Sequence, residues 1–185
     1  MAAALAAAGH PTVLTEYRRE PGSPDAGLTD IRRALQTIAS AVDTAPGVVL
    51  VGHSAGGHLA LVVAVDADSP VIGCLALSPV ADLALAELLD LDHGAVRDYL
   101  GGPAAARSDL DPSRLPRPGV PVTVLHGDRD SLVPVGVGQA YCDRRSARMV
   151  RIADCGHFEP IDPLSAAWPT VIAELTALIA RSGID

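Results

Sequence analysis

The sequence predicts an α/β fold, a three-layer αβα sandwich around a mostly parallel sheet, in a single domain over residues 1–185. One observation is alternation. Short runs that are apolar throughout, at 48–51, 71–77 and 122–126, alternate with stretches of helical periodicity. Strands without a polar face belong in a parallel sheet covered on both sides. The other is local. Four apolar residues lead into Gly52-His53-Ser54-Ala55-Gly56 and then an Ala/Leu/Val-rich stretch to about Val65, which reads as strand, tight turn and helix. With 49% hydrophobic and 19% charged residues, the chain is globular and long enough for a substantial core.

Taken in order, residues 2–8 predict an alanine-rich helix stopped by Gly9 and Pro11. Residues 12–17, Thr-Val-Leu-Thr-Glu-Tyr, are β-branched and short and predict a strand. A Pro/Gly-rich loop over 18–27 follows. Asp25 or Thr29 caps the next helix, where Ile31, Leu35, Ile38 and Val42 recur at helical spacing while Arg32, Arg33 and Gln36 face away. Pro46-Gly47 closes the turn into the 48–51 strand. After the Ser54 helix come strands at 71–77, 122–126 and 147–152, and helices over 137–144 and most of 163–181. In the last helix Trp168, Ile172, Leu175 and Ile179 share a face, and Pro169 kinks it or marks its start. The long stretch at about 82–118 interrupts this alternation. With short helices at 83–91 and 95–100 and a Gly/Pro/Asp/Arg-rich loop at 101–119, it is expected to be a small cap-like insert. A helix that merely packs the sheet edge is the competing expectation for 83–91.

Several partner classes are disfavoured. A net charge of −8 with no basic cluster argues against nucleic acid and against an anionic membrane surface. No apolar run approaches the roughly eighteen residues of a membrane span. Residues 1–8 lack the basic leader of a signal peptide. Cys74, Cys142 and Cys155 are scattered and odd in number, which fits a reducing, cytoplasmic setting. The Asp and His residues show no regular ligand spacing, so neither a metal nor another cofactor is expected. Residues 52–57 lack the Gly-Lys-Ser/Thr ending of a phosphate loop. The expected partner is a small-molecule substrate, with self-association left open.

The chemistry centres on Ser54. In a strand–Gly-x-Ser-x-Gly–helix context the serine sits on a strained turn with its hydroxyl clear of the sheet. Gly52 and Gly56 are expected at positions where a Cβ would meet neighbouring backbone. A serine hydroxyl needs a base within hydrogen-bond reach, and the base needs an orienting acid. The 122–126 strand runs into Gly127-Asp128-Arg129-Asp130, and the 147–152 strand into Ala153-Asp154-Cys155-Gly156-His157. Carboxyl ends of neighbouring parallel strands converge on one edge, where Ser54, Asp130 and His157 can meet. Asp128 is the rival acid and otherwise a turn-capping carboxylate. His53 and His58 flank the serine and are expected to be packed or hydrogen-bonded. His126 is expected to satisfy a turn, and His10 and His93 to lie on the surface. Cys155 has no base of its own.

Gly-His-Ser-Ala-Gly-Gly-His-Leu-Ala, His-Gly-x-x-Asp-x-x-Val-Pro and Gly-His-Phe, in that order, resemble the α/β-hydrolase superfamily. Glu16-Tyr17-Arg18-Arg19, Ser78-Pro79-Val80-Ala81-Asp82-Leu83 and Ser165-Ala166-Ala167-Trp168 are similar to its small carboxylesterase and kynurenine-formamidase-like branch. The resemblance covers essentially the whole chain. It implies Ser54 as nucleophile, His157 as general base and then acid, and Asp130, three residues before Val-Pro, as the carboxylate that orients His157. The N–H of Ala55 would donate to the oxyanion. The implied activity is that of a serine hydrolase on a small ester or amide. A peptidase is a further reading, without the propeller or large lid such relatives carry.

The resemblance also implies an upstream His-Gly-Gly loop that supplies a second oxyanion N–H, on a strand lying between residues 12–17 and 48–51. This sequence contains no His-Gly-Gly. The fold is therefore expected to be N-terminally shortened, through a start placed too late or in a weakened paralogue. The 12–17 strand would then pair directly with 48–51 or leave backbone groups unpaired, at about 1–3 kcal/mol per buried group. The competing functional expectation is a catalytically weak or inactive hydrolase-like binding module.

Overall fold

Strands β1 (Val48–His53), β2 (Val71–Leu77), β3 (Val122–Gly127) and β4 (Arg148–Ile152) form one parallel sheet in the order β1-β2-β3-β4. The computed structural model describes residues 1–41, 44, 47–67 and 69–182. Val42, expected on a helix face, and Pro46, expected in a turn, lie outside the described residues. In register, His53 stands beside Leu77, Leu77 beside Leu125, and Gly127 beside Ile152. The carboxyl ends of the strands therefore line up along one edge.

Helices cover both faces, and alternate strand residues feed the two sides. Leu75, Leu77 and Leu125 pack with helix α1 (Ala2–Ala7) through Leu5 and with α7 (Trp168–Arg181) through Val171, Leu175 and Leu178. Cys74, Ala76, Val122 and Val124 face α3 (Ala55–Val63) and α6 (Val135–Arg145) through Ala60, Leu61, Tyr141 and Cys142. This double coverage explains why the central strands β2 and β3 are buried almost throughout. Helix α2 (Pro24–Ala41) begins with a proline, whose missing N–H costs nothing at that position, and buries Leu28 and Leu35. Pro169 lies in the first turn of α7 and so marks its start rather than kinking it.

Between β2 and β3, helices α4 (Leu83–Leu88) and α5 (Ala95–Leu100) and a 3₁₀ turn (Ala104–Leu110) bury Leu83, Ala86, Val96, Leu100 and Leu110 in the same cluster as Leu28, Leu35 and Leu59. Asp82 caps α4 by accepting from the N–H of Leu85 at 2.9 Å and also pairs with Arg144.

Residues 12–17 do not form the expected strand. The segment carries no assigned strand, and Val13 and Leu14 are 57% and 75% exposed. β-propensity needs a partner edge and a face to bury. This segment lies against α2 instead, held where Arg18 forks onto Asp30 with both bonds at 2.9 Å. The expected choice between direct pairing and buried unpaired groups is thereby avoided, because the segment stays at the surface. Among the described residues β1 pairs only with β2, so its outer edge is open.

Candidate active site

Ser54 occupies the junction of β1 and α3 with φ 54° and ψ −120°, a conformation rarely adopted by residues with a Cβ. The surrounding backbone imposes it. Ser54 N–H donates to Leu77 O at 2.9 Å, and its carbonyl accepts from His58 N–H at 3.0 Å and from Val80 N–H at 3.3 Å. Gly52 is required, because a Cβ there would run into the carbonyl of Gly56. Gly56 is not, since its nearest neighbour to a Cβ is the Tyr17 hydroxyl at 3.8 Å. The expectation of a clash at Gly56 is therefore corrected. The crowded position is Gly57, where a Cβ would come 2.9 Å from Pro79 Cβ and 3.1 Å from Gly52 O. Strand-to-helix closure presses the second turn position, not the first, against its surroundings.

The loops after β3 and β4 are laced together. Asp128 N–H donates to Ile152 O at 3.0 Å and Arg129 N–H to Cys155 O at 2.9 Å. Gly127 has no room for a Cβ against Cys155. The seam brings Asp130, 7% exposed, to His157, 8% exposed, with Nδ1 donating to Oδ2 at 2.7 Å. Asp130 Oδ1 accepts the N–H groups of Leu132 at 3.0 Å and Val133 at 2.8 Å. Burial pushes the Asp130 carboxyl up, but hydrogen bonds from His126, His157 and Val133 outweigh it and hold the group well below the usual carboxylate range. Asp128 is exposed, and among the described residues its carboxylate caps nothing.

His157 meets the serine turn through His53. The His53 ring lies 4.5 Å from that of His157, and its Nε2 donates to the His157 carbonyl at 2.8 Å. Burial pulls the His53 pKa down, which keeps the ring neutral. Phe158, 60% exposed, stands edge-on to His157 at 5.0 Å. Among the described residues no hydrogen bond closes between Ser54 Oγ and His157, a contact that often tightens only when substrate binds. Ala55 N–H belongs to the first turn of α3, where backbone donors have no helical acceptor. The imidazole of His157, oriented by the Asp130 carboxylate, and the Ser54 hydroxyl on the turn next to His53 are the side-chain types that nucleophilic attack at a carbonyl needs.

His58 and Cys155 sit in packed surroundings. His58 is buried, donates to Leu110 O at 2.8 Å and sits edge-on to Tyr99. Cys155 is buried, and burial raises its thiol to about 11. Among the described residues no group of His, Cys, Asp or Glu could hold a metal ion, and no helix is long and apolar enough to cross a membrane. Surface concavities of about 390 Å³ beside Val13 and Asp30, and about 400 Å³ beside Asp82 and Leu88, do not include Ser54. His126 satisfies the turn after β3, as expected, through Val133 O, and His53 is hydrogen-bonded, as expected. Sequence reasoning missed the crowding at Gly57 and the identity of the His53 partner, His157, which lies on a distant segment.

The family described as alpha/beta hydrolase fold matches residues 1–111. Solved structures with similar folds include a putative thioesterase from Silicibacter sp. TM1040, at 23% identity and TM-score 0.66, covering 83% of this chain and 58% of that one. A thermophilic esterase from the planctomycete Thermogutta terrifontis, with propionate bound, has 21% identity and TM-score 0.65, with coverage of 85% and 65%. A hyperthermophilic esterase from the archaeon Pyrobaculum calidifontis has 20% identity and TM-score 0.71, with coverage of 92% and 66%. The chain thus spans 58–66% of the length of these structures. A search of curated proteins finds no match.

Proposed function

The chain belongs to the alpha/beta hydrolase fold family, and from that premise we propose that it is a serine hydrolase cleaving a small-molecule ester or amide. The observation that carries this reading is the hydrogen bond from His157 Nδ1 to Asp130 Oδ2 at 2.7 Å, formed on the loop that His53 ties to the serine turn. In this reading His157 Nε2 takes the Ser54 proton as Oγ attacks the carbonyl carbon. The oxyanion accepts from Ala55 N–H. His157 then protonates the leaving alcohol or amine, and water releases the acyl group by the same route in reverse. Asp130 remains ionised throughout, consistent with its lowered pKa.

A carboxylesterase or an arylformamidase-like amidase fits this arrangement, because exposed Phe158, edge-on to His157, gives the site an apolar edge. The segment 82–118 acts as a small cap in this reading. Cys74, Cys142 and Cys155, all unpaired and buried, support a reducing, cytoplasmic setting. A fluorophosphonate probe is expected to label Ser54 in the wild-type chain and not in Ser54→Ala. Equal labelling of both proteins would overturn the reading.

One observation favours a second reading, a catalytically weak or inactive hydrolase-like binding module. The sequence contains no His-Gly-Gly, the motif that supplies a second oxyanion N–H in the resemblance, which leaves Ala55 N–H as the single donor in the proposed mechanism. Loss of one such donor typically costs about 10²–10³ in turnover. A folded chain that binds small carboxylic acids yet hydrolyses p-nitrophenyl acetate no faster than buffer would favour the module.

A further inference from the structure

The acid loop carries a second histidine that the mechanism above does not use. His126 lies at the end of β3, paired in register with Arg151 of β4, and its side chain is fully buried. Its Nε2 stands 2.8 Å from the carbonyl oxygen of Val133 and 3.3 Å from Asp130 Oδ2. Among the described residues its Nδ1 is buried without a hydrogen-bond partner, and it faces Gly138, where a Cβ would approach to 2.8 Å.

These contacts fix the tautomer. A carbonyl oxygen only accepts, so Nε2 must carry the proton. The opposite tautomer would point a lone pair at two oxygens and bury an Nδ1–H with nothing to accept it. An orphaned lone pair is the lesser cost. Gly138 makes the close approach of α6 to the ring sterically allowed.

The proton on Nε2 reaches two groups that define the acid. Val133 is held from both ends, its N–H by Asp130 Oδ1 and its carbonyl by His126. Asp130 Oδ2 is shared between His157 and His126. The loop that aims the carboxylate is thereby anchored to the sheet, and supports on rigid elements hold a site more closely than loops do. We propose that His126 is a positioning residue, which as its Nε2–H tautomer clamps the 130–133 turn and holds Asp130 Oδ2 in line with His157 Nδ1. The kinetic part of this proposal rests on the serine-hydrolase reading; the structural part does not.

The test uses the full ¹⁵N-labelled chain and two variants. His126→Gln keeps an N–H donor near the position of Nε2, and His126→Leu removes it. Long-range ¹H–¹⁵N spectra of the wild type are expected to show His126 with a protonated Nε2 and a bare Nδ1. The far-downfield Nδ1–H resonance of His157 should persist in His126→Gln and weaken or shift in His126→Leu. With p-nitrophenyl acetate, kcat of His126→Leu is expected to fall by about 10–100-fold with KM nearly unchanged, the scale of a misplaced catalytic group, and His126→Gln should recover most of it. A protonated Nδ1 on His126 would overturn the proposal. So would a folded His126→Leu that retains both the His157 resonance and kcat, or a folded His126→Gln as impaired as the leucine variant. If His126→Leu does not fold, the wild-type tautomer and the glutamine variant still decide. Failure of the wild type to turn over any ester would count against the serine-hydrolase reading alone, because the two spectral readouts need no turnover.

Discussion

An added methyl group at Gly52 would meet the Gly56 carbonyl, whereas at Gly56 it would meet open space near Tyr17. Gly52→Ala is therefore expected to destabilise the fold by at least about 3 kcal/mol, at the upper end for overpacking, since rigid backbone must move. Gly56→Ala lies in the first turn of a helix and should be neutral or stabilising by up to about 1 kcal/mol. Urea unfolding of the two variants checks this, and equal losses would show that the turn tolerates neither methyl group. Both glycines stand out in the sequence as parts of one motif. Their different roles depend on how tightly the turn folds back on itself, which sets Gly52 against the Gly56 carbonyl and leaves Gly56 only the Tyr17 hydroxyl as a neighbour. Asp130 is likewise singled out over Asp128 by its spacing to Val133-Pro134, but its four hydrogen-bond partners come from two loops and a strand end.

Among the elements, residues 12–17 show most clearly that strand propensity is conditional. Threonine, valine and tyrosine favour a pleated, half-buried surface, and here no strand lies beside them to supply one. Since Val13 and Leu14 are exposed, Val13→Ser and Leu14→Ser are each expected to change stability by less than about 0.5 kcal/mol, as exposed substitutions usually do. Leu28, 1% exposed in α2, should lose about 2–5 kcal/mol on replacement by alanine. Comparable losses at positions 13 and 28 would mean that residues 12–17 are part of the core. The other four predicted strands formed because each has a neighbour on at least one side and helices over both faces. Helix ends differ from expectation by a few residues: α2 begins at Pro24, so neither Asp25 nor Thr29 is its cap, and α4 ends at Leu88, whereas its start after Asp82 is as expected.

For the molecule as a whole, buried neutral histidines make stability depend on pH. Burial lowers the pKa of both His58 and His53 below the ordinary 6.5. Below that pH the unfolded chain binds more protons than the folded one, so stability falls as pH drops from 7 towards 5. His58→Gln, which can still donate to Leu110 O, is expected to flatten this slope in calorimetric unfolding. An unchanged slope would remove His58 from the account. A second loss begins near 3.8, the ordinary value for Asp130, because the stabilisation from its lowered folded-state pKa is complete only above that point and declines progressively below it. The sequence by itself determined the parallel α/β architecture, the turn that carries Ser54 and the strand ends that carry Asp130 and His157, because these are written in local periodicity and short motifs. Only the tertiary structure decided that residues 12–17 stay unpaired, that Gly57 and not Gly56 is crowded, and that His53 and His126 brace the base and acid loops. The reason is physical: each depends on how backbone and side chains pack in three dimensions, whether across distant segments, as for His53 and His157, or within one turn, as for His126 and Val133, and local composition does not encode that packing.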